Sequence, residues 1–200
     1  MKRFELSLLL AMLFCVLLSF ISFERECLDI RANILRLHVL ANSDSAEDQQ
    51  LKLAVRDRIL TESVGIFSGC ADINDAAAAA EARLEDIRRA AQDEVYARGY
   101  DYPVSVELDD QYFPTRTYEQ VTLPAGVYKA FRVKIGSAQG RNWWCVMFPM
   151  LCVPGASDTE GLDMVLQQQQ LDIVESSGYE VRFKCVELFE QLANEMRRQH

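Results

Sequence analysis

Eighteen consecutive residues, Leu6 to Phe23, carry no charge, and they dictate where the rest of the chain can fold. Only Ser7, Ser19 and Ser22 among them are polar; Lys2 and Arg3 precede the run and Glu24-Arg25-Glu26 ends it. A helix of this length reaches roughly 27 Å, close to the hydrocarbon thickness of a bilayer. A positive segment followed by such a run is what the export machinery reads, and the two cations stay in the cytoplasm. A core helix of a soluble protein would show a polar face. Phe20 and Ile21 crowd the place where a cleavage site would need small residues. The expectation is therefore a signal peptide or membrane anchor over residues 1–25, most simply an uncleaved anchor. Residues 26–200 then form one domain on the far side of the membrane.

That domain has ample length for a core without metals or repeats. Setting aside Lys2, Arg3 and Glu5, 19 basic and 29 acidic side chains remain, a net charge of -10. Such a surface speaks against nucleic acid and anionic lipid, which are bound through basic patches. Outside the cytoplasm disulfides become possible. Cys145 and Cys152 flank Met-Phe-Pro-Met-Leu, and a turn at Pro149 can bring them within bridging distance, so this pair is the candidate disulfide. Cys27, Cys70 and Cys185 leave at least one thiol free or paired between molecules. There is no CxxC pair, and the two histidines lie far apart in the chain, so no metal site is expected.

Residues 34–41 (ILRLHVLA) alternate as a strand, with Leu35, Leu37, Val39 and Ala41 on one face. Asn42-Ser43-Asp44-Ser45 breaks it and supplies caps for a helix over about 46–67, with Leu51, Val55, Ile59 and Leu60 inward. A second helix is expected from Asp75 to about Arg98, stopped by Gly99. Beyond it the texture turns to β: residues 103–108, 112–118, 127–135 and 142–148 read as strands, the last two as hairpin partners. Residues 162–175 suggest a helix and 179–184 a last strand. Residues 186–198 close the chain as a helix with Phe189, Leu192, Ala193 and Met196 inward. The expected fold is α+β: an N-terminal membrane helix, then one domain with an antiparallel or mixed sheet packed by two long helices and a C-terminal helix.

No phosphate loop, metal motif or nucleophile elbow occurs. His38 is the one plausible catalytic imidazole, and facing Cys145 it would make a thiol–imidazole pair. Asp109-Asp110 would suit an acidic hydrolase, as would any acidic turn. Two stretches suit recognition better. Asn42, Ser43 and Asp44 end a strand beside a helix N-terminus, where an anionic group can be gripped or the helix simply capped. Arg141, Asn142 and Trp143 open an aromatic, methionine-rich segment of the composition found at interface cores. With His38 these six residues form the candidate partner-binding set; no catalytic residue and no cofactor is expected.

The same two stretches carry a family likeness. Residues 36–56 (RLHVLANSDSAEDQQLKLAVR) and 123–153 (LPAGVYKAFRVKIGSAQGRNWWCVMFPMLCV) resemble stage II sporulation protein R, and a weaker likeness extends from Asn33 to about Leu192. The resemblance implies an intercellular signal of endospore formation, made in the forespore and exported across its membrane into the space between the two cell membranes. There it implies activation of the membrane-embedded aspartic protease of the mother cell that processes pro-sigma-E, with no chemistry of its own. The rival expectation is an extracytoplasmic cell-wall hydrolase or thiol enzyme.

Overall fold

The apolar N-terminal run is helical, and the helix does not stop at its charged end. In the computed structural model, which describes residues 2–118, 121–149, 162 and 165–198, α1 extends without a break over Lys2–Ala32. Side chains from Phe4 to Ile21 are largely exposed, whereas Phe23, Cys27 and Ile30 are buried. Those three recur at steps of four and three, so one helix presents apolar surface all round and then a single inward stripe. The expected membrane segment Leu6–Phe23 thus runs directly into the domain core, with no linker between anchor and domain.

The sheet is mixed. β1 (Leu35–Leu40), β2 (Val104–Phe113), β5 (Gly126–Ile135) and β6 (Asn142–Phe148) lie in the order β2-β5-β1-β6, and a separate hairpin joins β3 (Arg116–Tyr118) to β4 (Val121–Leu123). β1 pairs parallel with β5 and antiparallel with β6. The expected β5–β6 hairpin is therefore incorrect: β1 lies between the two strands. β1 takes the central place with Leu35, Leu37 and Val39 buried on one face and Arg36 buried on the other, and the 136–141 turn crosses its end. The 112–118 strand is also redrawn, since Tyr112 and Phe113 finish β2 and only residues 116–118 form β3.

Helix α2 (Ala46–Phe67) starts at Ser45, whose hydroxyl accepts from the Asp48 amide at 3.1 Å. Leu51, Val55, Ile59 and Leu60 are buried as their spacing predicts. Replacing Ser45 by alanine should cost about 1 kcal/mol, the usual worth of a serine cap; a chemical denaturation midpoint reads it. The single helix expected after Asp75 is two, α3 (Ile73–Ala82) and α4 (Leu84–Ala97). Arg83 breaks the α pattern with ψ near 10° and donates its amide three residues back, to Ala80. Asp72, rather than Asp75, caps α3. Together α2, α3 and α4 cover one face of the sheet, over Leu37, Val39, Phe131, Val133 and Met147.

The opposite face packs on the end of α1, on α5 (Gln168–Glu175), on α6 (Glu180–Arg198) and on the β3–β4 hairpin, around Tyr128, Phe113, Val146 and Ile173. Residues 179–184 do not form the expected strand: a 3-10 turn at 177–179 leads straight into α6. Nor does the last helix bury the expected face. Phe183 and Val186 point inward, while Phe189, Leu192 and Met196 are 59%, 53% and 62% exposed.

A candidate recognition junction

β1 and β6 bring the two singled-out stretches side by side. In their antiparallel register His38 faces Trp144 and Leu40 faces Asn142, while Leu37 faces Cys145 and Val39 faces Trp143. The alternation of a strand then sorts the side chains. His38, Asn142 and Trp144 lie on the α1 side of the sheet; Trp143 and Cys145 lie on the α2 side, packed with the first core. His38 and Cys145 are on opposite faces, so no thiol–imidazole pair forms. Asp109 and Asp110 are likewise adjacent strand residues that point apart. Asp109 is held by Arg132 at 2.5 Å, and Glu107 binds the same guanidinium at 2.6 Å.

Beyond the strand ends the loop 42–45 locks onto the turn 136–141. The Ser137 amide donates to the Asn42 side-chain oxygen at 2.9 Å, and its hydroxyl donates to the Asn42 carbonyl at 2.7 Å. Gly140 donates to the Ala41 carbonyl at 2.9 Å and Gln139 to that of Asn42 at 3.2 Å. The Arg141 amide donates to Asp44 at 2.7 Å, and Lys52 spans from the Gln49 side chain to the Arg141 carbonyl. Two glycines make this approach possible. A Cβ on Gly136, whose φ is +58°, would overlap the Asn42 side chain, and one on Gly140 would overlap the Ser43 carbonyl.

Asn42 and Ser43 are committed inward. Both donate to the Asp48 carboxylate, at 2.9 and 2.5 Å. Burial pushes the Asp48 acid upward, but the hydrogen bonds from Ser43, Asn42 and Tyr102 outweigh it and hold the group below the ordinary aspartate range. The polar atoms expected to grip an anion are therefore spent on capping and loop closure. Arg141, Asp44 and Asn142 are exposed and are what the junction offers outward. Trp143 is half-buried, with the Arg56 guanidinium 4.4 Å from its ring centroid. Trp144 carries Arg116 in the same way at 4.2 Å on the other face, an aromatic that the sequence reading left aside. Cys145 is buried in β6; Cys152 lies outside the described residues, and with it the expected bridge. Cys15, Cys27, Cys70 and Cys185 are free thiols.

His38 Nε2 donates to the Asn142 side-chain oxygen at 2.9 Å. Burial lowers its pKa, opposed by the hydrogen bonds to Asn142 and Gln111. The folded protein thus takes up the proton less readily than the unfolded chain, whose histidine titrates near 6.5. Stability from this group is complete above about pH 6.5 and is lost as pH falls from there through the folded pKa. The melting temperature should decline on acidification through this window, and His38→Gln should flatten that part of the curve.

The fold and this junction define a class: a mixed-sheet α+β domain carried directly on an N-terminal apolar helix. The chain belongs to the stage II sporulation protein R family, whose model matches residues 31–158, and it therefore has a role in sporulation. Stage II sporulation protein R of Bacillus subtilis (strain 168) is 35% identical over 139 residues, which cover 70% of this chain and 62% of that protein. The match thus takes in less than two thirds of the length of that curated relative. No solved structure matches the chain.

Proposed function

We propose that the protein is an exported, membrane-held signal that activates the mother-cell aspartic protease responsible for processing pro-sigma-E. It leaves the forespore through its N-terminal segment, and its domain acts in the space between the two membranes without chemistry of its own. The observation that carries this reading is the junction: the two segments of strongest family likeness meet through at least five backbone and side-chain hydrogen bonds and present Arg141, Asp44 and Asn142 together. Such a rigid, polar, aromatic-backed surface suits docking on the extracytoplasmic part of a partner. The buried Cys145 suits a bridge to Cys152 that would brace β6 from behind. The thiol-enzyme alternative loses its imidazole, because His38 and Cys145 are on opposite faces.

Co-expression with the protease and pro-sigma-E in a non-sporulating host tests the proposal. Mature sigma-E should appear only when this chain is present. Unprocessed pro-sigma-E in the presence of all three proteins, each shown to be in the membrane fraction, would contradict it.

A further inference from the structure

Beside the junction, on the α1 side of the sheet, the acidic domain holds a cation that it does not spend on itself. Arg116 opens β3 and is exposed, and its guanidinium lies 4.2 Å from the ring centroid of Trp144. Several other guanidiniums are tied to carboxylates: Arg58 to Glu62 at 2.7 Å, Arg88 to Glu85 at 2.7 Å and Arg132 to Asp109 at 2.5 Å. Arg116 has neither an ion pair nor a hydrogen bond among the described residues. Stacking on the indole holds the guanidinium plane in place and leaves its N–H donors for another molecule.

The groups around it are donors too. The Trp144 ring also meets His38, with centroids 5.9 Å apart, and His38 Nε2 donates to Asn142 Oδ1 at 2.9 Å. With that oxygen engaged, the exposed Asn142 side chain keeps its amide N–H groups, which have no partner among the described residues. Asn142 and Trp144 lie two residues apart on one face of β6, about 7 Å along the strand. The nearest acids of that face, Glu107 and Asp109, are both bound by Arg132. The surface therefore presents a fixed guanidinium and an amide donor over an aromatic floor, and what such a surface lacks is an anionic acceptor.

The geometry points to a carboxylate-recognition site, in which Arg116, positioned by Trp144 and assisted by Asn142, receives an acidic side chain of the partner protein that docks on the junction. A planar carboxylate accepts two parallel N–H bonds from a guanidinium, which a neutral acceptor does not match. Asn142 directly follows Arg141 in the chain, so the site is continuous with the junction and one partner covers both. Arginine and tryptophan are also the residue types that carry most binding energy at the centre of interfaces. Because the indole fixes the guanidinium before the partner arrives, little side-chain freedom is lost on binding. The inference rests on the docking reading above.

The test measures the affinity of the full chain for the purified protease, both in detergent. Arg116→Gln should weaken binding by about tenfold or more and Arg116→Lys by about threefold, since an ammonium keeps the charge and loses the paired bonds. Arg98→Gln removes the same charge at an exposed position on α4 and should leave affinity unchanged. A six-glutamate peptide should compete with the protease, and a six-glutamine peptide should not. Arg116 is exposed, so an unchanged melting temperature verifies the fold of both of its variants. Wild-type affinity in Arg116→Gln overturns the site and leaves docking standing. An equal loss in Arg98→Gln means that overall charge is read, and also overturns it. Equal competition by the two peptides, or none by either, overturns the assignment of a carboxylate. A doubled mass of the chain alone that Arg116→Gln abolishes assigns the site to a second copy and overturns the partner. No binding by the unaltered chain overturns both the docking reading and the site.

Discussion

Arg36→Ala is expected to destabilise the fold by about 3–4 kcal/mol, the range of a large buried side chain removed from a well-packed site. Arg36 is fully buried, yet among the described residues its guanidinium meets no carboxylate. It lies 4.3 Å from the ring centroid of Phe113 and 4.8 Å from that of Tyr128, donates to the Cys145 carbonyl at 3.2 Å and to the Tyr118 hydroxyl at 2.5 Å, and has no partner for Nη1 among the described residues. Truncation opens a void beneath the sheet and releases Tyr118, which ties the β3–β4 hairpin to β6 through the Trp144 carbonyl. Arg36→Met keeps most of the volume and strands no opposite charge, so its cost should stay below about 1.5 kcal/mol. Thermal unfolding of the full chain in detergent distinguishes them. Equal losses in the two variants would mean that charge, not volume and aromatic contact, holds this site.

The second large effect is expected at Gly140. An alanine there places its Cβ on the Ser43 carbonyl and 2.9 Å from the Ala41 Cβ. The backbone cannot yield without giving up the bonds from Gly140 and Gln139 to the β1 end. A cost of about 2–3 kcal/mol is expected for overpacking of this kind, localised in the junction. Pro-sigma-E processing in the co-expression assay should fall by about tenfold or more. Gly65→Ala supplies the control: it lies in α2 with nothing within 4 Å of the added Cβ. It should stabilise the helix by about 0.5–1 kcal/mol and leave processing intact.

The parts legible in the sequence were those governed by local chemistry. The cap at Ser45 and the inward row Leu51, Val55 and Ile59 place α2 over its observed span, and the two-sided apolar pattern of residues 142–148 marks a strand. What failed depended on neighbours. Strand order was misread because a short turn after β5 suggests a hairpin, whereas β1, more than eighty residues earlier in the chain, takes the place between β5 and β6. The Arg83 break carries no glycine or proline to announce it. In α6 both faces hold apolar residues, and periodicity does not tell which one the domain covers; Phe183 and Val186 win because Phe23 and Tyr179 meet them. At the junction the residue types were legible, but their proximity was not, because it comes from the pairing of β1 with β6. Nor were their roles: Asn42 and Ser43 face Asp48 inside the loop, and only the three-dimensional closure leaves Arg141 and Asp44 outward.

The central claim is that this junction is the surface that meets the protease. A photo-crosslinking amino acid placed at Arg141 or Asp44, with the chain co-expressed beside the protease, tests it most directly. The same probe at Arg89, an exposed residue on α4, serves as reference. The account predicts a protease adduct from positions 141 and 44 and none from 89. Adducts from position 89 alone, or equal yields from all three, would contradict it.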